Sequence, residues 1–178
     1  MYVASLTALA VVLKLRFFEI PYPPAPFLKY DISGIPLALI AFISLKYTPP
    51  ALLLYFIIPV LVGADPIGMA MKCLAEASTF TPLTLLYKKT PGKTDSRGRF
   101  ILVVVLSAVS RAGIMAIANY VVTPYWLLWA RWATTFEDAY AKTLVYLPHV
   151  VIFNATLALI VSSLSIVIYN VVKRAGYL

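Results

Sequence analysis

Five polar or charged residues interrupt the apolar stretches of this sequence and are the first candidates for chemistry. Lys72 and Glu76 stand four residues apart in one stretch, Arg111 and Asn119 lie in a second, and Asn154 lies in a third. Polar groups in apolar surroundings are costly to bury and often serve a function. A spacing of four places Lys72 and Glu76 on one helix face, where they either neutralise each other or line a site.

The other three residues also have structural interpretations. Arg111 can reach the membrane surface or bond a buried carbonyl group. Asn119 and Asn154 can hydrogen-bond neighbouring helices together without touching any ligand. The residue types alone leave these alternatives open.

Several kinds of chemistry are excluded by what the sequence lacks. It contains no His-Glu-x-x-His, no Gly-x-Ser-x-Gly and no phosphate-binding Gly-rich loop, so we expect neither an enzyme nor an ATPase. Cys73 is the one cysteine and His149 the one histidine, so we expect no disulfide within the chain and no metal site. We also expect no resident cofactor.

The elements that must position these residues are apolar helices. Hydrophobic residues make up 62% of the 178 residues and charged residues only 12%, a composition typical of a membrane protein. We predict an all-α integral membrane protein, one domain over 1–178, with about six transmembrane helices. The second and third are short and could instead form a re-entrant pair. The predicted spans are Tyr2–Phe18, Ile32–Lys46, Ala51–Val62, Ile67–Tyr87, Phe100–Val122 and Pro148–Val172.

Two connecting segments are distinctive. The first, Ile20–Asp31, contains four prolines, which favour a stiff extended loop. The second, Pro124–Tyr146, is rich in aromatic residues, which predicts an interfacial belt carried by a short surface helix. The belt residues are Tyr125, Trp126, Trp129 and Trp132.

The positive charges predict the orientation. With both termini inside, the basic segment Lys88–Arg99 and the pair Lys173-Arg174 lie in the cytoplasm, as the positive-inside rule requires. We therefore predict a multi-pass protein of the cell membrane. The Pro-rich loop then lies outside, beside the outer halves of the predicted helices. This arrangement predicts one outward-facing pocket, whose polar residues are Lys29, Tyr30, Asp31, Lys72, Asn119 and Asn154.

Several motifs together resemble a known family, the riboflavin-specific S components of energy-coupling factor (ECF) transporters. Pro26–Pro36 resembles the segment that follows the first helix of these proteins, and Ser110–Tyr120 resembles their fifth helix. Phe153-Asn154 resembles a motif of their sixth helix. Ala4 and Ala8 match a small-residue motif of the first helix. The order and spacing of these motifs agree over nearly the whole chain.

The resemblance implies a function. An S component captures its vitamin from outside, docks on a transmembrane coupling subunit driven by two ATPases, and topples in the membrane to release the ligand. It implies riboflavin as the transported ligand and Ala4 and Ala8 as the docking face. It implies a binding site made of Phe27, Leu28, Lys29, Tyr30, Asp31, Lys72, Glu76, Asn119, Tyr120 and Asn154.

Flavin chemistry suits these residues, since aromatic and aliphatic groups can cover the ring faces. Asn119 and Asn154 can read the polar ring edge, because an amide both donates and accepts. The third and fourth spans lack the family's Gly-Pro-rich pattern, and Leu157 stands where a polar residue is expected in the riboflavin subgroup. The alternatives are an S component for another vitamin and a structural or assembly subunit that binds no ligand.

Overall fold

The computed structural model describes residues 2–14, 18–88 and 97–176 of the chain. These residues form an all-helical protein, as the sequence predicts, with one two-stranded hairpin, β1 (Ile20–Pro21) paired antiparallel with β2 (Lys29–Tyr30). The six described helices are α1 (Tyr2–Leu13), α2 (Gly34–Ile43), α3 (Thr48–Leu61), α4 (Pro66–Lys88), α5 (Arg97–Trp129) and α6 (Phe136–Arg174).

Two of these helices, α5 and α6, are long and apolar enough to cross a membrane. In the most apolar stretch of α5 only 33% of the stretch is buried inside the protein, and in that of α6 only 44% is buried. Ile117 and Val145, for example, are 70% and 69% exposed. A core helix of a soluble protein buries most of its apolar surface, so this exposure supports a lipid environment.

The first three helices are shorter. They contain 12, 10 and 14 residues, which corresponds to roughly 15–21 Å at about 1.5 Å per residue. A hydrocarbon core is about 30 Å thick. Helix length and composition therefore identify two of the six predicted spans.

The centre of the described structure is α2, which contacts α1, α3, α4 and α6. Its sequence is apolar on every side, and a helix of that kind is stable only when it is surrounded. Leu37, Ala38 and Ile40 are fully buried there. The N-terminus of α2 consequently lies inside the protein, at the end of the segment that follows α1.

The prediction of a surface helix within Pro124–Tyr146 is wrong. Helix α5 continues through Pro124 to Trp129, and α6 begins at Phe136, so only a short turn separates them. The Thr135 hydroxyl accepts a hydrogen bond from the backbone N–H of Asp138 at 3.2 Å and caps α6. The packing of α5 against α6 extends over both helices and offsets the cost of the internal prolines.

Candidate functional site

A cavity of about 1210 Å³ lies where α4, α5 and α6 meet the segment that follows α1. Lys14, the residue directly after α1, also lines it, and α3 contributes Pro59. Seven of the residues that the sequence assigns to the binding site line this cavity: Phe27, Leu28, Lys29, Asp31, Lys72, Asn119 and Asn154.

A buried polar network crosses the wall of the cavity and joins four elements. Lys72 Nζ lies 3.0 Å from Asp31 Oδ2 and 3.1 Å from Glu76 Oε1. Glu76 Oε1 also lies 3.2 Å from Arg111 Nη1. Arg111 Nε donates to Asn154 Oδ1 at 3.0 Å. The network thereby connects the segment before α2 with α4, α5 and α6.

Arg111 and Glu76 are 1% and 0% exposed. Their contact shows that Arg111 pairs with a carboxylate instead of reaching the membrane surface, and Arg111 Nη1 also donates to Thr79 Oγ1 at 3.1 Å. Removing one partner of a buried ion pair costs about 3–5 kcal/mol, because it leaves the other charge uncompensated. The network is therefore part of the core as well as of the cavity wall.

The network keeps unused hydrogen-bonding capacity. Glu76 Oε2 is buried and has no partner among the described residues, and Asp31 Oδ2 and Lys72 Nζ have only their ion-pair contacts there. Buried polar atoms of this kind are ordinarily satisfied by a protein group, water or a ligand. Asp31 and Lys72 line the cavity, so their atoms can receive polar groups of a bound molecule, whereas Glu76 does not line it.

A second ionic cluster holds the segment after α1 against the end of that helix. Glu19 bonds Lys14, and its other carboxylate oxygen accepts from Lys29 Nζ at 2.7 Å. Burial alone would raise the pKa of Glu19, but the hydrogen bonds from the two lysines outweigh it and hold that pKa below its ordinary value. Glu19 therefore joins α1 to β2 as a carboxylate.

Aromatic rings form another wall of the cavity. The Phe27 ring lies 5.6 Å from that of Trp126, 6.2 Å from that of Trp132 and 5.1 Å from that of Tyr146. We call Phe27, Trp126 and Trp132 the aromatic wall, because all three line the cavity. The position of both tryptophans between two predicted spans indicated an interfacial belt, and no signal in the sequence indicated this role at the cavity.

Asp65 fixes one ring of the aromatic wall. Its carboxylate accepts from the backbone N–H groups of Ile67 and Gly68 at 3.1 and 2.9 Å, which caps the start of α4. The same carboxylate accepts from Trp126 Nε1 at 2.7 Å. An acidic residue directly before Pro66 is a helix-start signal, but nothing in the sequence connects it to Trp126, 61 residues away.

Both candidate asparagines lie at the cavity but use part of their amide for local bonds. Asn119 donates to Met115 O at 2.8 Å and accepts from Thr123 at 3.0 Å. Asn154 donates to Val150 O at 2.9 Å, in addition to its bond from Arg111. A side-chain amide has two donor hydrogens and two acceptor lone pairs. Each of the two asparagines therefore keeps one donor hydrogen and one lone pair for a ligand.

Three assigned residues do not line the cavity. Tyr30 lies with its ring 4.7 Å from that of Phe153, and its hydroxyl is 2.7 Å from Thr156 Oγ1. Tyr120 is exposed and its hydroxyl contacts that of Tyr140. Glu76 lies behind Lys72 and reaches the cavity only through it.

The small residues Ala4 and Ala8 are both exposed on α1, whereas Thr7 and Ala10 face the protein interior.

No family model matches the chain, and no curated protein matches it. No group of three or more His, Cys, Asp or Glu side chains within residues 2–14, 18–88 and 97–176 could hold a metal ion.

Proposed function

We propose that this protein is the vitamin-binding subunit of an ATP-driven ECF importer, with riboflavin as its ligand. In this proposal the chain crosses the cell membrane about six times with both termini inside, and the cavity faces outward. One observation carries the proposal: the cavity combines the aromatic wall with a buried polar network. Its lining includes residues of Pro26–Pro36 and of Ser110–Tyr120, two segments that resemble riboflavin-specific S components.

The size and lining of the cavity suit a flavin. Pockets for small molecules generally measure about 300–1,000 Å³ and are mostly apolar with a few placed polar groups. At about 1210 Å³ the cavity can take a three-ring ligand with its side chain. Trp126 offers a flat surface to the ring system, and Asn119 and Asn154 offer their remaining donors and acceptors to its edge.

The polar network suits the ribityl chain. That chain carries hydroxyl groups, each of which can both donate and accept a hydrogen bond. Asp31 and Lys72 line the cavity, and their Oδ2 and Nζ atoms supply one acceptor and one donor whose contacts among the described residues are ion pairs. A polyol would satisfy them without adding charge.

The importer would need further subunits. The sequence contains no phosphate-binding loop, so the energy must come from two ATPase subunits acting through a transmembrane coupling subunit. The side chains of Ala4 and Ala8 are small and exposed, so another helix can approach this face of α1 closely. We propose this face as the docking surface for the coupling subunit.

A structural or assembly subunit that binds no ligand is the second candidate. It is favoured by the local bonds that Asn119 and Asn154 already make within the protein. An S component for another vitamin is the third. Leu157, whose identity raised that alternative, is buried against Ile35 and Val161 and does not line the cavity, so it would not discriminate between ligands directly.

An equilibrium titration tests the proposal. The protein, purified in lipid nanodiscs and freed of ligand, is titrated into riboflavin while the quenching of flavin fluorescence is recorded. Trp126→Ala should weaken binding by about tenfold, because the stacking surface is lost. The matched control is Trp129→Ala, which removes an exposed tryptophan outside the cavity. Absence of riboflavin binding by the parent protein would refute the proposal.

A further inference from the structure

The charged side chains of the cavity balance one another. Among the residues that the structure describes, four cations and three carboxylates line it, and Glu76 behind Lys72 adds a fourth carboxylate. The formal charge of the set is therefore zero. The set consists of Lys14, Lys29, Lys72 and Arg111 with Glu19, Asp31, Asp65 and Glu76.

Each of these cations already contacts a carboxylate. The carboxylate of Glu19 pairs with both Lys14 and Lys29, and its Oε2 lies 2.7 Å from Lys29 Nζ. Lys72 lies between Asp31 and Glu76, at 3.0 and 3.1 Å. Asp65, the remaining carboxylate, is held by two backbone N–H groups and one indole N–H. No described cation of the cavity is left without a counter-charge.

Arg111 is the fourth cation, and it is the least accessible. It is 1% exposed, its Nη1 lies 3.2 Å from Glu76 Oε1, and its Nε–H donates a hydrogen bond to Asn154 Oδ1. A ligand anion that approached this guanidinium would have to compete with Glu76, which is fully buried against it. Arg111 therefore fixes the network and does not serve as an anion receptor.

An entering anion would meet two costs. It would lose its own hydration in a partly apolar cavity, and it would have to break an existing ion pair to gain a counter-charge. A neutral ligand of the same shape meets neither cost. Added volume is not the obstacle, because a cavity of about 1210 Å³ has room for a phosphate group beside a flavin.

We infer that this cavity selects uncharged ligands, and that Glu19, Asp31 and Glu76, by pairing with every described cation of the cavity, exclude the phosphorylated form of the same molecule. The inference rests on the proposed function for the choice of ligand. It adds a determinant of specificity, namely the pairing of Lys14, Lys29 and Lys72 with Glu19 and Asp31. Removing Glu19 leaves Lys29 without a counter-charge, and removing either Glu19 or Asp31 gives the cavity a net positive charge.

The test compares riboflavin, which is neutral, with riboflavin 5′-phosphate, which is anionic, by fluorescence quenching at one fixed salt concentration. The parent protein should bind the phosphate form at least about tenfold more weakly than riboflavin. Asp31→Asn and Glu19→Gln should each reduce that ratio by roughly tenfold, because either change gives the cavity a net positive charge that attracts the phosphate. Glu19→Gln also leaves Lys29 without its carboxylate partner. The ratio is informative even where a variant weakens both ligands.

The matched control is Asp138→Asn, which removes a surface carboxylate that pairs with Lys142 at 2.8 Å outside the cavity. It should leave the ratio unchanged. Equal binding of both flavins by the parent, or an unchanged ratio in both cavity variants, would overturn the inference alone. Binding of neither flavin by the parent would refute the proposed function and this inference with it.

Discussion

Gly34, the first residue of α2, is the position where one methyl group should disturb the polar network most directly. A Cβ atom built on Gly34 would lie 2.2 Å from Glu76 Oε2 and 2.9 Å from Glu76 Cδ. Val161 Cγ1, at 3.1 Å, blocks the alternative of shifting α2 aside. The carboxylate of Glu76 would have to move, and Gly34→Ala would separate it from Lys72 and Arg111.

The expected cost follows from those contacts. Weakening a hydrogen bond to a charged group costs about 1.5–3 kcal/mol. Replacing a helical glycine by alanine in itself stabilises the folded protein by about 0.5–1 kcal/mol. We expect Gly34→Ala to lower the free energy of unfolding by about 0.5–2.5 kcal/mol, a fall in melting temperature of roughly 1–10 °C for a chain of this size.

Thermal unfolding in detergent, followed by tryptophan fluorescence, measures this change. Gly113→Ala is the matched control, because Gly113 is an exposed helical glycine with no atom within 4 Å of its added Cβ. It should be neutral or slightly stabilising. If Gly34→Ala melted at the same temperature as Gly113→Ala, the close contact between Gly34 and Glu76 would be refuted as a constraint on the network.

Further predictions address assembly, the cavity, topology and pH. Ala8→Leu should block co-purification with a coupling subunit while leaving riboflavin affinity unchanged; loss of affinity with intact co-purification would contradict the docking surface. Asn154→Leu removes an acceptor from the buried Arg111 and should cost about 1–3 kcal/mol in chemical denaturation. With Cys73 replaced, a cysteine at the exposed Thr134 should react with impermeant thiol reagents in intact cells and one at Ala175 should not; the reverse would invert the topology. The stabilisation by Glu19, measured against Glu19→Gln, should be constant above its ordinary pKa of 4.5 and be lost only at lower pH, because the pKa is lowered in the folded protein.

The helices could be predicted from the sequence because apolar stretches and prolines act locally. The predicted second span, Ile32–Lys46, became α2 and a short 3₁₀ turn, and the predicted fourth span matches α4 within one residue at each end. The prediction failed at Pro124. Proline signals a helix end from local geometry, whereas α5 continues because its contact with α6 outweighs that signal.

The site was predictable where burial of a charge was itself the signal. Lys72, Glu76 and Arg111 stood out because they interrupt apolar stretches, and the structure brings them together. The aromatic wall was not predictable in the same way. A tryptophan at a helix end suits both a membrane interface and a cavity, and only the bond from Trp126 to Asp65 distinguishes the two.

The absorption spectrum of the purified protein tests the central claim most directly. The protein is expressed in a riboflavin-containing medium, purified in mild detergent and washed extensively, so that only tightly held molecules remain. We predict a yellow protein with visible flavin bands in a ratio of one flavin per chain, and Trp126→Ala should carry less flavin under the same washing. A colourless protein that also takes up no flavin on addition of riboflavin would contradict the account.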